Sequence, residues 1–189
     1  MYMWLMFGSF RNIIIIILLN FVFLTNAETY VAETQKVKIG NLDNLYRVSD
    51  SVYRSEQPTA RDFRELERAG IKSILNLRYL HKDSDVISKT SLKLYHVPMV
   101  ALYMEQNRFV EALRIIKNSP KPILIHCQHG SDRTGAVIAL YRIIFQKWSK
   151  EAAINELKYG GYGHHLIFFN IPNFIKNIDI KQIEFEINK

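Results

Sequence analysis

Only one cysteine, Cys127, occurs among the 189 residues. A single thiol excludes a disulfide framework within the chain and any zinc site built from several cysteines. Long runs of lysine or arginine are also missing, so the formal net charge of +7 does not by itself indicate nucleic-acid binding. Apolar material is not scarce. A content of 48% hydrophobic and 12% aromatic residues excludes wholesale disorder and suffices for one core.

The N-terminus lacks acidic side chains until Glu28 and is strongly apolar. Residues 13–24 read IIIIILLNFVFL, Arg11 precedes them, and the small residue Ala27 stands at a position suited to cleavage. This order predicts a secretory signal peptide over residues 1–27. The apolar run of about 12 residues is shorter than the roughly 20 that span a bilayer easily, and an uncleaved N-terminal anchor is the alternative.

Cleavage predicts a periplasmic or secreted protein, whereas retention predicts a membrane-anchored protein with its domain outside the cytoplasm. Membrane contact is expected only in the second case. Residues 28–43 are polar and predict an irregular lead-in, and residues 44–189 predict a single globular domain. A free thiol in an oxidising compartment is a liability unless it is buried or used, so Cys127 requires an explanation.

Short apolar runs alternate with amphipathic stretches over the rest of the chain. A hairpin is predicted over residues 45–54, where apolar and polar residues alternate. The overall alternation predicts an α/β fold with a mainly parallel central sheet flanked by helices. Strands are predicted over residues 71–77, 92–97 and 122–126, and helices over residues 59–69, 104–117, 134–148 and 150–158, with mixed helix signals around residues 166–177.

The sequence PILIHCQHGSDRTG, residues 122–135, joins the most apolar predicted strand to a predicted helix. Ligands of such folds bind at the carboxyl ends of strands, where Cys127 lies. A helix N-terminus directs backbone N–H groups and a positive dipole end toward an anion, and Gly130 permits a tight turn. Arg133 offers a planar fork to two phosphate oxygens, and the same field favours the thiolate of Cys127. Thr134 is expected to donate a hydrogen bond to the sulfur and help it leave later.

This segment resembles the signature of cysteine-dependent protein tyrosine and dual-specificity phosphatases, in which His-Cys is followed by five residues and then Arg-Thr-Gly. Segments within residues 44–58, 70–78 and 139–143 resemble the small bacterial periplasmic dual-specificity phosphatases. More distantly, they resemble atypical plant and fungal phosphatases that act on phosphotyrosine or inositol pyrophosphates. The resemblance covers about residues 41–165 and implies a dual-specificity phosphatase-like fold.

The resemblance implies a two-step mechanism that needs no metal or organic cofactor. Cys127 attacks phosphorus and forms a cysteinyl-phosphate, while Arg133 and backbone N–H groups hold the equatorial oxygens. A general acid protonates the leaving oxygen, and the same group then activates water. Possible substrate-wall residues are Arg54, Arg78 and Tyr162, with surface or turn roles as the alternatives. The implied phosphate-binding residues are Gln128, His129, Gly130, Ser131, Asp132 and Arg133.

The Asp that usually serves this family as general acid is missing from its usual place. It lies on the loop after the strand at residues 92–97, but residues 98–105 read PMVALYME here. Three hypotheses follow. In the first, Glu105 bends inward and acts as the general acid. In the second, Asp132 is the acid within the phosphate loop, if it is protonated or turned outward. In the third, the enzyme works without a strong acid on substrates with good leaving groups. We favour Asp132 because its position beside the nucleophile is fixed.

The histidines of this region have plainer interpretations. His126 is expected to pack and hydrogen-bond beneath the loop rather than act as a general base. His129 either lines the pocket or is solvated. The pair His164 and His165 is not predicted to hold a metal, because adjacent residues rarely face one ligand.

The leading functional hypothesis is a phosphatase of phosphotyrosine in proteins, with phosphoserine and phosphothreonine as further substrates. One alternative is a phosphatase of inositol polyphosphates or phospholipid head groups, which basic residues near strand ends would favour. Another is a phosphate-binding pseudophosphatase, against which the presence of Cys127, Arg133 and Thr134 argues. A rhodanese-type sulfurtransferase is opposed by the Arg-Thr-Gly ending. The expected partner is a phosphorylated protein or another phosphomonoester, not a nucleic acid.

Overall fold

A computed structural model describes residues 34–87 and 90–189. The predicted signal peptide over residues 1–27 lies outside the described residues, as do the first residues of the predicted lead-in. The compact unit to which the described residues belong spans Glu33–Lys189. None of the helices in the described part of the chain combines the length and the apolar composition needed to cross a bilayer.

A six-stranded mixed sheet lies at the centre of the domain, which confirms the predicted α/β fold. Its strands are β1 (Gln35–Lys36), β2 (Tyr46–Arg47), β3 (Val52–Ser55), β4 (Ser73–Asn76), β5 (Lys93–His96) and β6 (Ile123–His126). Their order in the sheet is β1-β2-β3-β6-β4-β5. The four strands β3, β6, β4 and β5 are parallel, and β2 and β1 extend the sheet antiparallel from β3.

The central strand β6 is buried along its whole length. A strand covered on both faces reads as a continuous apolar run, which is why Ile-Leu-Ile precedes His126. In the register of the sheet, His126 lies opposite Ser55 on one side and Asn76 on the other. The carboxyl ends of three parallel strands therefore meet immediately before Cys127.

Within residues 34–87 and 90–189, six α-helices flank this sheet, and the predicted helices are confirmed within a few residues. They are α1 (Ala60–Arg68), α2 (Gln106–Asn118), α3 (Asp132–Gln146), α4 (Lys150–Tyr159), α5 (Asn170–Asn177) and α6 (Ile180–Asn188). The start of α1 is fixed by a capping box, in which the Thr59 side chain accepts from the backbone of Asp62 and the Asp62 carboxylate accepts from the backbone of Thr59. Such a cap stabilises a helix by about 1 kcal/mol.

Alternate residues of the central strands face two apolar clusters. Ile123 and Ile125 belong to the larger cluster, which also contains the buried sides of α2 and α3. Leu124 belongs to the smaller cluster with Phe63 and Leu66 of α1. The two-residue period of a strand thus divides one apolar run between two cores, and both cores hold the phosphate-loop strand in place.

Among the described residues, one strand and one α-helix are not predicted from the sequence. Strand β1 lies within the expected lead-in and pairs with β2, where Lys36 is opposite Tyr46. Its two residues are too few for an alternating pattern to be recognised. Helix α6 follows the weak signals around residues 166–177 and buries Ile183 and Ile187, a spacing of four that is typical of a helix.

Candidate active site

Residues 127–133 form a loop between β6 and α3, and we call them the phosphate loop. The backbone N–H groups of residues 128–131 donate no hydrogen bond to any described residue. Helix α3 begins directly afterwards at Asp132, so its positive dipole end adds to this row of donors. Free N–H groups before a helix N-terminus are the usual structure of an anion site.

Three carbonyl groups of the same loop accept hydrogen bonds from residues outside it. The backbone N–H of Gln57 donates to the carbonyl of residue 128 at 3.2 Å, and the Asn44 side-chain amide donates to the next carbonyl at 2.8 Å. Arg54 Nη2 donates to the Gly130 carbonyl at 2.7 Å. Because a peptide group presents its carbonyl and its N–H in opposite directions, these three contacts orient the loop N–H groups away from the protein.

Gly130 is required at the centre of this loop. Its φ of +72° lies in the left-handed region, and a Cβ atom there would come within 2.5 Å of the Ser55 carbonyl carbon. Only glycine satisfies both conditions, as the sequence analysis predicts.

Cys127 is buried at 2% exposure and has no disulfide partner. Arg54 lies close to it and is itself fully buried. Burial lowers the pKa of Arg54 to about 10, although electrostatic interactions with Tyr162, Glu156 and Cys127 oppose this shift. The guanidinium is therefore still charged at neutral pH, and its charge favours the thiolate of Cys127.

Arg54 and Tyr162 occupy a different place from the substrate wall expected for them. The Arg54 guanidinium lies 3.8 Å from the centre of the Tyr162 ring, beneath the loop rather than at its rim. Tyr162 is 5% exposed and packs edge-on against Tyr46 at 4.8 Å. Burial raises the pKa of Tyr162 above its usual value. Arg54 points inward because it shares a face of β3 with the buried Val52.

Arg78 follows β4 and remains half-buried, with Nη1 donating to Gln57 Oε1 at 3.1 Å. Burial lowers the pKa of Arg78, and the nearby charge of Arg133 lowers it further, whereas Asp83 and Cys127 act in the opposite direction. Arg78 is thus electrostatically coupled to the predicted nucleophile, Cys127, and to Arg133, which is predicted to bind phosphate. It is the predicted wall residue that the structure leaves beside the site rather than beneath it.

Arg133 is half-buried, and its Nη1 donates to the Met99 carbonyl at 3.4 Å. That contact joins the phosphate loop to the loop after β5, where the family usually carries its acid. Thr134 is completely buried, and its hydroxyl makes no hydrogen bond within the described part of the chain. The hydroxyl is therefore available to a charged sulfur or to a bound anion.

A buried pair behind the loop was not predicted. His126 Nε2 lies 2.8 Å from Asp83 Oδ2, and both side chains are almost inaccessible. Asp83 Oδ1 also accepts from Asn76 and Gln57. Burial alone would raise the pKa of Asp83, but the hydrogen bonds and the charge of His126 leave it below its usual value. No local pattern identifies Asp83, because its partner is 43 residues away.

The two carboxylates proposed as general acid are both engaged. Glu105 lies at the start of α2 and pairs with Arg108, its Oε2 lying 3.4 Å from Nε. Asp132 is 5% exposed, and its Oδ2 lies 2.7 Å from His165 Nδ1. Its Oδ1 accepts from the backbone N–H of the same histidine at 3.0 Å. The His164 Nδ1 atom is 2.9 Å from Oδ1. Two adjacent histidines therefore do face one carboxylate, contrary to the expectation that adjacent residues rarely face the same ligand.

Two further residues of the phosphate loop, His129 and Ser131, differ in their exposure. His129 is exposed, and its ring lies 5.4 Å from that of His165. Ser131 is buried, and its hydroxyl donates to the His129 carbonyl at 3.4 Å. Gly163, with a φ of +77°, approaches this hydroxyl closely enough that a Cβ atom would lie 3.2 Å from it. The segment at residues 160–165, which we call the histidine segment, thus packs directly on the phosphate loop.

Two curated proteins illustrate the sequence similarity of the chain. Dual specificity protein phosphatase TpbA of Pseudomonas aeruginosa is 30% identical over 141 residues, which are 72% of this chain and 63% of that protein. Inositol diphosphatase SIW14 of Saccharomyces cerevisiae is 33% identical over 126 residues, or 61% of this chain and 44% of that protein. The match spans less than two thirds of the length of either relative.

A solved structure gives the corresponding likeness in three dimensions. The crystal structure of P. aeruginosa TpbA in complex with pTyr aligns with a TM-score of 0.72 and 27% identity, covering 85% of this chain and 98% of that chain. The structural similarity therefore extends over most of the length of both chains. The sequence model of the tyrosine phosphatase family matches residues 41–189, so the chain belongs to this family.

Proposed function

We propose that the chain hydrolyses phosphotyrosine in proteins, and phosphoserine and phosphothreonine as further substrates, through a cysteinyl-phosphate. The observation that carries this proposal is the orientation of the phosphate loop. Its carbonyls are held from outside by Gln57, Asn44 and Arg54, so the N–H groups of residues 128–131 remain free around Cys127. Such preorganised donors stabilise the charge that develops on phosphoryl oxygens.

The reaction follows from this geometry in two displacements. Cys127 Sγ forms a bond to phosphorus while the bond from phosphorus to the leaving oxygen breaks, and that oxygen takes a proton. Water then attacks phosphorus, gives up a proton, and displaces the sulfur as a thiolate. The loop N–H groups and Arg133 hold the three other oxygens through both steps. Arg54 is charged beneath the loop and favours the thiolate at the start and at the end.

Apolar side chains at the same sheet edge support an aromatic substrate. Tyr79 follows β4 and is 58% exposed, and Tyr103 follows β5 and is 70% exposed. Both line a cavity of about 290 Å³ together with Met99, whose carbonyl contacts Arg133. A ring attached to the phosphate has apolar surface to contact there. The complex of TpbA with pTyr supports the same substrate class.

Inositol pyrophosphates are the second candidate substrate, and Arg78 is the observation that favours them. Its guanidinium is coupled to Arg133, so two cations lie near one nucleophile. Two adjacent phosphoryl groups would use both charges. The relative SIW14 is named an inositol diphosphatase, which supports this alternative.

We also propose that the protein acts outside the cytoplasm, in the periplasm or after secretion. The support is the order of Arg11, the apolar residues 13–24 and Ala27. Mass measurement of the protein from fractionated cells tests this proposal. A chain that begins at Glu28 in the periplasmic or medium fraction is expected, and a full-length chain in the membrane fraction would instead indicate an anchor.

A substrate panel tests the catalytic proposal. The purified full chain is assayed on phosphotyrosine, phosphoserine and phosphothreonine peptides, inositol pyrophosphates and phospholipids, with the Cys127→Ser variant as control. We expect the highest kcat/KM on phosphotyrosine peptides, and we expect Cys127→Ser to abolish turnover while still binding vanadate. Turnover that survives Cys127→Ser would overturn the mechanism. Binding of phosphate without turnover in the parent chain would show a pseudophosphatase.

A further inference from the structure

The Asp132 carboxylate is occupied on both oxygens by the histidine segment. His165 binds it twice, through its backbone N–H at 3.0 Å and through Nδ1 at 2.7 Å. His164 Nδ1 lies 2.9 Å from the same carboxylate, but without the angle of a hydrogen bond. A carboxylate held in this way is turned away from a substrate, so Asp132 is poorly placed to give a proton to a leaving group directly.

His165 is the member of this cluster that can reach a substrate. Its side chain is 48% exposed, whereas that of His164 is 2% exposed. With Nδ1 on Asp132, the opposite ring nitrogen, Nε2, has no hydrogen-bond partner among residues 34–87 and 90–189. The ring lies 5.4 Å from that of His129 in the phosphate loop. One nitrogen is therefore fixed by a carboxylate while the other remains free beside the site.

The histidine segment is held at this position by two further features. The Asn44 amide donates both to the His129 carbonyl at 2.8 Å and to the Tyr162 carbonyl at 3.1 Å. Gly161 and Gly163 have φ values of +82° and +77°, which allow the segment to turn sharply before His165. The imidazole is thus placed by the fold rather than by chance contact of a loose loop.

We propose that His165 is the proton donor of the phosphatase reaction and that Asp132 is its positioning residue. The inference rests on the proposed phosphatase function. In the first step His165 Nε2 gives its proton to the leaving oxygen as the bond from that oxygen to phosphorus breaks and the bond from Cys127 sulfur to phosphorus forms. In the second step the neutral imidazole takes a proton from the attacking water, and the sulfur leaves as a thiolate.

The surroundings of the imidazole agree with this role. Three titratable groups face it: the Asp132 carboxylate from α3, His129 from the phosphate loop, and His164 from its own segment. Phe168, from the following turn, packs edge-on and carries no charge. A carboxylate on Nδ1 stabilises the protonated ring and fixes its orientation. No three His, Cys, Asp or Glu side chains of the described segments are arranged to hold a metal ion.

Leaving-group dependence gives the test. The full chain and the His165→Gln variant are assayed on phenyl phosphate, which has a poor leaving group, and on 2,4-dinitrophenyl phosphate, which needs no proton to leave. We expect His165→Gln to lose about 100-fold in kcat/KM on phenyl phosphate and to change by less than about fivefold on the dinitrophenyl ester. Equal losses on both esters in a folded variant would overturn the assignment.

The pH profile separates the donor from its positioning residue. For phenyl phosphate, kcat/KM of the parent is expected to fall at alkaline pH, where a general acid is no longer available, and His165→Gln should lose this limb. Asp132→Asn should keep the limb, because the donor remains and only its positioning partner is changed. An unchanged alkaline limb in His165→Gln would contradict the proposal.

His164→Gln is the matched control, because His164 contacts the same carboxylate but its side chain is buried. We expect it to keep the parent ratio between the two esters. If instead it reproduces the selective loss of His165→Gln, the effect belongs to packing and the proposal fails. Added imidazole should restore phenyl phosphate hydrolysis to His165→Ala, and an absence of rescue would count against proton transfer. A parent chain with no turnover on either ester would overturn the proposed function itself, which is a distinguishable result.

Discussion

Two arginines are buried in this domain, and only one of them is neutralised. Arg142 of α3 has a carboxylate partner, with Nη2 lying 2.7 Å from Glu156 Oε1 and Nε lying 3.0 Å from Oε2. Its charge is further covered by the Trp148 ring at 4.4 Å. Arg54 of β3 has no ion pair within the described residues and contacts a carbonyl and the Tyr162 ring instead.

The difference shows which of the two buried arginines has a charge that can act on a ligand. A buried cation is costly unless it is paired, and Arg142 satisfies that condition within the protein. Arg54 does not, and its Nε lacks a hydrogen-bond partner among the described groups. In the proposed mechanism, its positive charge acts on the thiolate of Cys127 and on the phosphate bound by the loop. We therefore assign Arg142 to stability and Arg54 to catalysis, and the following predictions test that division.

Replacement of Arg142 should have the largest effect on stability. Arg142→Met leaves the largely buried Glu156, whose side chain is 12% exposed, without its cationic partner, so we expect the free energy of unfolding to fall by about 3–5 kcal/mol. Urea denaturation followed by circular dichroism measures this loss. The kcat/KM of the protein that remains folded should stay within about threefold of the parent. Arg142 lowers the pKa of Arg54 and Glu156 raises it, so the loss of Arg142 leaves Arg54 charged. A stability loss below about 1 kcal/mol would remove the distinction between the two arginines.

Replacement of Arg54 should show the opposite pattern. Arg54→Met removes a charged hydrogen bond to the Gly130 carbonyl, and we expect kcat/KM to fall about 30-fold, or about 2 kcal/mol. Alkylation of Cys127 by iodoacetamide should also slow, because the thiolate loses a neighbouring cation. Arg54→Lys should recover part of the alkylation rate. If Arg54→Met is as active as the parent, the uncompensated charge has no catalytic role.

Asp83 is a buried carboxylate whose charge is stabilised by hydrogen bonds and by His126, and its replacement tests that stabilisation. Asp83→Asn should lower the free energy of unfolding by about 1–3 kcal/mol at neutral pH, because it weakens the contact to His126. The pKa of Asp83 is held below its usual value, so its stabilisation is present above about pH 4 and disappears as the pH falls through the folded-state pKa. Urea unfolding at neutral pH and near pH 3 should therefore show the difference between the two proteins shrinking in acid. A constant difference would contradict the linkage.

The smallest effect is expected at Arg78, which is half-buried beside the site. Arg78→Met should raise KM for phosphotyrosine peptides about threefold, and added salt should reduce the difference because solvent screens this charge. A larger rise for inositol pyrophosphates is expected if two phosphoryl groups use both cations. Steady-state kinetics at low and high ionic strength measure both effects. A salt-independent change would indicate that Arg78 acts by packing against Gln57.

The sequence was sufficient to predict the strands and helices that have long or strongly apolar patterns. The strand before Cys127 and the helix after it were predicted because burial on both faces leaves a continuous apolar run. The phosphate loop was predicted because Gly130, Arg133 and the helix start must lie at fixed spacing to form an anion site. Helix α6 was missed although Ile180, Ile183 and Ile187 carried a detectable helical spacing.

The positions of several side chains depend on tertiary contacts that a single sequence does not show. Arg54 was expected at the pocket wall, although its shared strand face with Val52 was a signal that it points inward. The buried Asp83 has no such signal, because only the fold brings it to His126. The pairing of His164 and His165 on one carboxylate depends on the sharp turn at Gly163, which removes the regular geometry that the spacing argument assumed.

The double contact of Asn44 has an energetic consequence for substrate binding. One amide group holds a carbonyl of the phosphate loop and a carbonyl of the histidine segment. An anion that rigidifies the loop therefore also rigidifies the segment, and thermodynamic linkage requires that the two events strengthen each other by the same free energy. Hydrogen exchange of residues 160–165 with and without vanadate measures this cooperativity. Asn44→Ala should reduce the vanadate-dependent protection, while the contacts of Asp132 with His165 preserve the rest.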